Sequence, residues 1–277
     1  MITELNALQQ LVSFTFLLTF FGMAAAALFF LVERDQVSAE FRVPVALAGL
    51  VCAIAAGNYF YMREIYVTGA LEGGGLFPTE FRYIDWFLTV PLMLAQFPLH
   101  LGMGRRGRMF MVWLITFSLL MLTAGYLGEI NADDTTLHLG LWVLGCAFAL
   151  AIVGPLLIAL RALPERTPPQ TVRTVRAMVI LVVLGWTIYP LGYLQPALGF
   201  SPDFRELLYN VADFINKVGL GIVIFIGGRA TIRRRRQELT DDALDRIDLD
   251  RLDVARDATT APGTGRSATD SLLAGRP

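Results

Sequence analysis

A chain of 277 residues that is 55% hydrophobic, with a mean hydropathy of +0.55, is too apolar for one ordinary soluble domain. Its net charge of -1 says nothing about partners, because the charges are segregated along the chain rather than spread. Cys52 and Cys146 lie inside apolar runs and imply no disulfide. Without a P-loop, a GxSxG turn or a metal-spaced His/Cys cluster, neither an enzyme nor a metal site is expected.

Seven apolar stretches follow one another at roughly 8–32, 43–67, 80–103, 109–128, 138–163, 175–196 and 205–228. Each is long enough for a membrane-spanning helix, so the expected fold is an all-α bundle of seven transmembrane helices over residues 1–230. The start, MITELNALQQ, lacks the positive region of a signal peptide, and the first stretch is expected to stay as a helix. The second and third stretches carry Asn58, Arg63, Glu64, Arg82 and Asp85, which must face a bundle interior or an interface rather than lipid. Residues 231–277 turn polar, with acids and arginines interleaved; part of Asp241 to Arg256 suits a charged helix and the rest reads as disordered.

Arginines set the orientation. The loops after stretches one, three and five carry Arg34 and Arg42, then Arg105, Arg106 and Arg108, then Arg161, Arg166 and Arg173, and the last stretch ends in Arg229 and Arg233 to Arg236. By the positive-inside rule the N-terminus is outside and the C-terminus cytoplasmic, in an inner (plasma) membrane. The four consecutive arginines suit anionic lipid headgroups.

The seventh stretch, RELLYNVADFINKVGLGIVIFIGGR, holds Asp213 and Lys217 near mid-bilayer, four residues apart and so on one helical face. A charge at that depth costs about 2.5–3.5 kcal/mol. Of 23 basic residues 22 are arginine, and Lys217 is the single lysine. An ε-amine can be desolvated and condensed with an aldehyde, which a guanidinium cannot. A plain Lys–Asp tie between helices would need no lysine in particular. In the third stretch Arg82, Asp85 and Thr89 share a face, and Gln96 lies eleven residues past Asp85, about 16 Å towards the cytoplasm. Lys217 is the one cation at a depth to pair with Asp85, and Arg82, one turn outward, is placed to keep both Asp85 and Asp213 ionised. In the sixth stretch Trp186, Tyr189 and Tyr193 recur at helical spacing, with Pro190 able to kink the helix. With Trp86 and Tyr59 they would wall a flat apolar slot, although such stripes are ordinarily packing.

FRYIDWFLTVPL, GWTIYPLGY and YNVADFINK resemble motifs of the microbial rhodopsins, most closely the proteorhodopsin and xanthorhodopsin branch, and NYFYMR and GYLGE match more loosely. The resemblance spans residues 10 to 230. It implies all-trans retinal on Lys217 as a Schiff base, Asp85 as counterion and primary proton acceptor, and Asp213 as second counterion. It also implies Arg82 as the gate to the exterior and Thr89 as the acceptor's neighbour, with Met93 at a colour-tuning position that favours green absorption. Two departures stand out. Asn58 replaces the histidine that usually bonds the acceptor, and Gln96 replaces the carboxylic proton donor.

The expected function is therefore a light-driven outward proton pump without a carboxylic donor, recovering slowly and more slowly as pH rises. Its partners are protons and the lipid bilayer, with no nucleic acid. His100 is a weak relay candidate and Glu129 a weak candidate for the release path. A sensory photoreceptor with a slow photocycle is the alternative. Sodium-pumping relatives carry Asn and Asp where this chain has Asp85 and Thr89, and a chloride-pumping group has Asn in place of Asp85, so protons are favoured. The resemblance also implies a homo-oligomer, a pentamer or trimer. A carotenoid antenna would need a lateral window, which Gly145 could open, though glycine in a membrane helix usually serves packing.

Overall fold

The computed structural model describes residues 5–72, 77–101, 104–165, 167–199 and 201–260, with the side chains of 104, 196, 197, 245 and 247–260 left aside. The chain divides into two compact units, Met1–Ile232 and Arg233–Pro277. Every regular element among the described residues is a helix.

Helix α1 spans Ala7–Glu33 and starts on a capping box, in which Asn6 and Gln9 satisfy each other's main-chain N–H groups. A 3-10 turn at Arg34–Gln36 leads into α2, Ala39–Leu71. Then follow α3 (Glu80–Leu101), α4 (Gly104–Glu129) and α5 (Thr135–Arg161), the last capped by Asp134 on the Leu137 N–H at 3.0 Å. The sixth span is broken into α6 (Pro169–Gly185) and α7 (Ile188–Tyr193). Pro190 has no N–H for the carbonyl of Trp186, which instead accepts from the Tyr189 N–H at 3.2 Å, and the helix tightens there. A single turn, α8 (Gln195–Leu198), ends on Gly199 at φ 72°. Helix α9 runs without a break from Pro202 to Thr260, further than the charged segment expected within 241–256. The expected disorder of 261–277, and Arg166 of the arginine census, lie outside the described residues.

Among the described residues seven helices are long and apolar enough to cross a membrane, the last two spans being Pro169–Tyr193 and Pro202–Leu244. Their burial patterns show how they pack. On α1, Val12, Phe16, Thr19, Met23, Ala27 and Phe30 recur at three and four residues and are buried, while Phe14, Leu18, Phe21 and Leu28 face outward. Consecutive helices are neighbours from α1 to α6. Helix α9 closes the ring: Asn210 donates to Thr15 of α1 at 3.0 Å, and Asn216 donates to the Gly185 carbonyl of α6 at 3.2 Å. Close approach depends on glycine at Gly185 and Gly192, where a Cβ would run into Asn216 and Tyr209 respectively.

Candidate functional site

Helices α3 and α9 place a run of polar side chains in the middle of the bundle, on a shared face of each helix. On α3 these are Arg82, Asp85, Thr89 and Gln96; on α9 they are Glu206, Asn210, Asp213 and Lys217, spaced four, three and four apart. All are buried. The Lys217 amine donates to Oδ2 of Asp85 and, at 2.8 Å, to Oδ2 of Asp213. Asp213 is held from every side: Tyr189 donates to Oδ1 at 2.6 Å, Tyr59 to Oδ2 at 2.9 Å, and the Trp86 indole lies 3.2 Å from Oδ1. Asp85 is treated differently, since its Oδ1 is buried with no protein partner. Such charges survive in a bilayer because each has an opposite charge within contact.

From this cluster a cavity of about 150 Å3 runs between α3, α4, α5, α7 and α9. Trp86 and Tyr189 flank its polar end, where Lys217 supplies the single primary amine, and Met93, Met121, Trp142 and Trp186 are among its apolar walls. Trp86 meets Tyr189 edge-on, with centroids 5.1 Å apart, and the Trp142 indole donates to the Pro190 carbonyl at 3.0 Å. The α7 part of the broken sixth span is thereby tied to α5.

Residues 10–229 match the model of the family described as bacteriorhodopsin-like protein. The blue-light absorbing proteorhodopsin of Gamma-proteobacterium Hot 75m4 is 36% identical over 224 residues, 79% of this chain and 86% of that protein. The green-light absorbing proteorhodopsin of Gamma-proteobacterium EBAC31A08 is 35% identical over 74% of this chain and 81% of its own. The chain belongs to the bacteriorhodopsin-like family. Among solved structures, Exiguobacterium sibiricum rhodopsin is similar with a TM-score of 0.75 and 34% identity, over 82% of this chain and 99% of that one. Xanthorhodopsin, described as a light-driven ion pump with dual chromophore, reaches 0.75 at 26% identity, over 83% and 97%.

As a bacteriorhodopsin-like protein with seven spans, the chain is a multi-pass plasma-membrane protein that binds retinal as a Schiff base. The residues present fit that group. The cavity is an apolar, aromatic-walled slot that ends on an amine, and the unpartnered Oδ1 of Asp85 leaves an acceptor free beside that amine.

The bacteriorhodopsin-like bundle gathers most of the residues singled out in the sequence. Trp86, Met93, Trp186, Tyr189, Pro190 and Tyr193 all line the cavity. Thr89 touches Asp85, although its hydroxyl donates to the main-chain carbonyl at 2.9 Å rather than to the carboxylate. Other residues stand elsewhere than expected. Tyr59 is not a cavity wall; its hydroxyl donates to Asp213 and accepts from Arg82 at 3.1 Å, because α2 meets α9 on the far side of the ion cluster. Asn58, one residue earlier and so turned by about 100°, donates to the Phe81 carbonyl at 3.2 Å and makes no recorded bond to Asp85. Arg82 makes no recorded bond to Asp85 or Asp213 and reaches Asp213 through the Tyr59 hydroxyl. Its own charge partner is Glu206, with Nε at 2.8 Å and Nη2 at 2.6 Å from Oε2. Glu129 pairs with Arg205 at 3.5 Å, and Arg205 in turn reaches Oε1 of Glu206 at 3.2 Å. Gln96 and His100 are buried towards the Arg-rich end of α3. Gly145 borders the cavity with room to spare: a Cβ there would come no nearer than 3.7 Å to the Met121 carbonyl.

Glu206, Asn210, Asn216, Trp142 and Tyr209 were not picked out from the sequence. The signal for the first two was present, since 206, 210, 213 and 217 follow helical spacing on one face. For Trp142 no such signal exists, because its partner is a main-chain carbonyl of another helix.

Proposed function

We propose that the chain is a light-driven outward proton pump, with retinal attached to Lys217 and the N-terminus on the outer side. The observation that carries this reading is the Lys217 amine held between two buried carboxylates, Asp85 and Asp213, at the end of an aromatic cavity. When bound, retinal supplies light absorption, photoisomerisation and a protonatable imine nitrogen.

The side chains divide the remaining work. Asp85 accepts the proton: one of its oxygens already faces the Lys217 nitrogen, and the other has no competing donor. Asp213 stays ionised, because Tyr59, Tyr189 and Trp86 all donate to it and hold the negative charge in place. The exit route runs outward past Arg82 and Glu206. Glu206 lines a second cavity of about 410 Å3 shared with Tyr66, Glu72 and Asp203, where a released proton meets acidic side chains. Glu129 stands behind Arg205 on that route. On the opposite side Gln96 cannot release a proton, so the Lys217 nitrogen is reprotonated more directly from the cytoplasm.

Asp85 also weighs against an anion pump, because a fixed carboxylate beside the Lys217 nitrogen occupies the place an anion would take. Gln96 supports the second reading, a sensory photoreceptor, since slow recovery lengthens the life of a signalling state.

Illumination of a suspension of cells carrying the protein and retinal, in sodium- and chloride-free medium, tests the proposal. The pump acidifies the medium, and a protonophore abolishes the change. A coloured protein that leaves the pH untouched would instead be a sensor.

A further inference from the structure

The Arg-rich end of the bundle contains polar atoms that nothing in the cluster around Lys217 uses. Gln96 and His100 lie one turn apart on α3, on the face that carries Asp85 and Thr89. Both are buried, at 1% and 6% exposure. Oε1 of Gln96 and both ring nitrogens of His100 have no protein partner, nor does Oγ of Ser38, which is also buried, at the start of α2. The Gln96 amide does no better than a 3.4 Å contact with the Leu92 carbonyl one turn back. The ring of Phe41 closes over His100 edge-on, with centroids 4.3 Å apart, and Phe41 itself is bonded through its N–H to the Ser38 carbonyl at 2.8 Å. Glu40, beside Phe41 on α2, is the charged group among the described residues whose field reaches the ring.

A buried imidazole with both nitrogens unpaired is costly as a purely structural side chain, and native proteins meet such groups with bound water. The second histidine shows the contrast. His138 rests its Nδ1 at 2.9 Å from the Gly128 carbonyl and stacks on Tyr193 with centroids 4.2 Å apart, as a packed histidine does. His100 is also the one titratable side chain on α3 between Asp85 and the Arg-rich end, and an imidazole can both take and give a proton.

We propose that His100 is the proton-uptake relay of this protein. The neutral ring gains a proton on one nitrogen from water on the Arg-rich side. It then gives up the proton from its other nitrogen towards the Lys217 nitrogen, through water bonded to Oε1 of Gln96, and returns to the neutral form. Gln96 positions that water and does not titrate. Phe41 limits access from solvent. This inference rests on the proton-pump reading above.

The first test is a readout that needs no light. In protein carrying 15N-labelled histidine, reconstituted in lipid nanodiscs, two ring systems give signals, and His100→Phe identifies one by its loss. The His100 ring is expected to exchange protons with water and to respond to the bulk pH. A His100 ring that neither exchanges with water nor responds to the bulk pH overturns the proposal, whether or not the protein pumps. The second test is flash photolysis. His100→Phe, which preserves the contact with Phe41, is expected to slow recovery of the visible absorption by roughly tenfold or more, with azide restoring it. Gln96→Glu is expected to restore it within the same variant by supplying a proton locally. Recovery in His100→Phe within about twofold of the parent would also sink the relay, and His100→Gln gives the same comparison if the first variant yields no pigment. Failure of the parent protein to acidify its medium would overturn the pump reading instead, and the histidine signals would still report on water at His100.

Discussion

Arg82 points its guanidinium at Glu206 and away from Asp85: Nε and Nη2 converge on one carboxylate oxygen at 2.8 and 2.6 Å, and Nη2 also reaches Asn210 at 2.7 Å. The two charges are fully buried. The positive charge thus acts on Asp213 through the Tyr59 hydroxyl, while its direct anionic partner lines the second cavity.

Removing Glu206 strands that guanidinium. Glu206→Ala is expected to cost about 3–5 kcal/mol, the usual penalty for a buried charge deprived of its partner. Glu206→Gln keeps a neutral acceptor and is expected to lose less. Thermal bleaching of the pigment measures both, and equal bleaching of parent and Glu206→Ala would refute the pairing.

Lys217→Ala removes the cavity's single amine. Added all-trans retinal is expected to give no visible absorption band in this variant, and borohydride is expected to fix the pigment to Lys217 in the parent. A band that survives the substitution would show that attachment lies elsewhere.

Asp85→Asn keeps the size of the side chain and removes its ability to take a proton. Light-driven acidification is expected to vanish while pigment still forms, because Asp213 remains on the Lys217 nitrogen. The suspension pH assay decides it, with the visible spectrum as the control for folding.

Recovery of the parent is expected to slow as pH rises, because Gln96 holds no proton and the supply is bulk solvent. The limit is about tenfold per pH unit, the fall in proton concentration itself. Azide is expected to accelerate it, and Gln96→Glu to flatten the slope. Flash-photolysis decay rates across the alkaline range measure each effect; rates indifferent to both pH and azide would count against the missing donor.

Gly192→Ala tests the packing that seats the aromatic walls. The new methyl would collide with the buried ring of Tyr209, whose hydroxyl bonds the Tyr189 carbonyl at 3.0 Å. Overpacking of this kind costs about 1–3 kcal/mol, and a lowered bleaching temperature with a shifted absorption band is the expected result.

The primary structure by itself determined the seven spans, because lipid admits only long apolar runs with internally satisfied backbones, and it determined that the single lysine would share a face with Asp213, because helical spacing is a local property. It equally contained the row 206, 210, 213 and 217, legible by the same arithmetic. What only the tertiary structure decided was the choice among partners of one type. Arg82 had three carboxylates within a few turns and took Glu206, Tyr59 turned from a cavity wall into a bridge between Arg82 and Asp213, and Asn58 faced the Phe81 carbonyl. Those outcomes depend on the rotation and depth of one helix against another, which side-chain packing sets and residue spacing along a single helix does not encode.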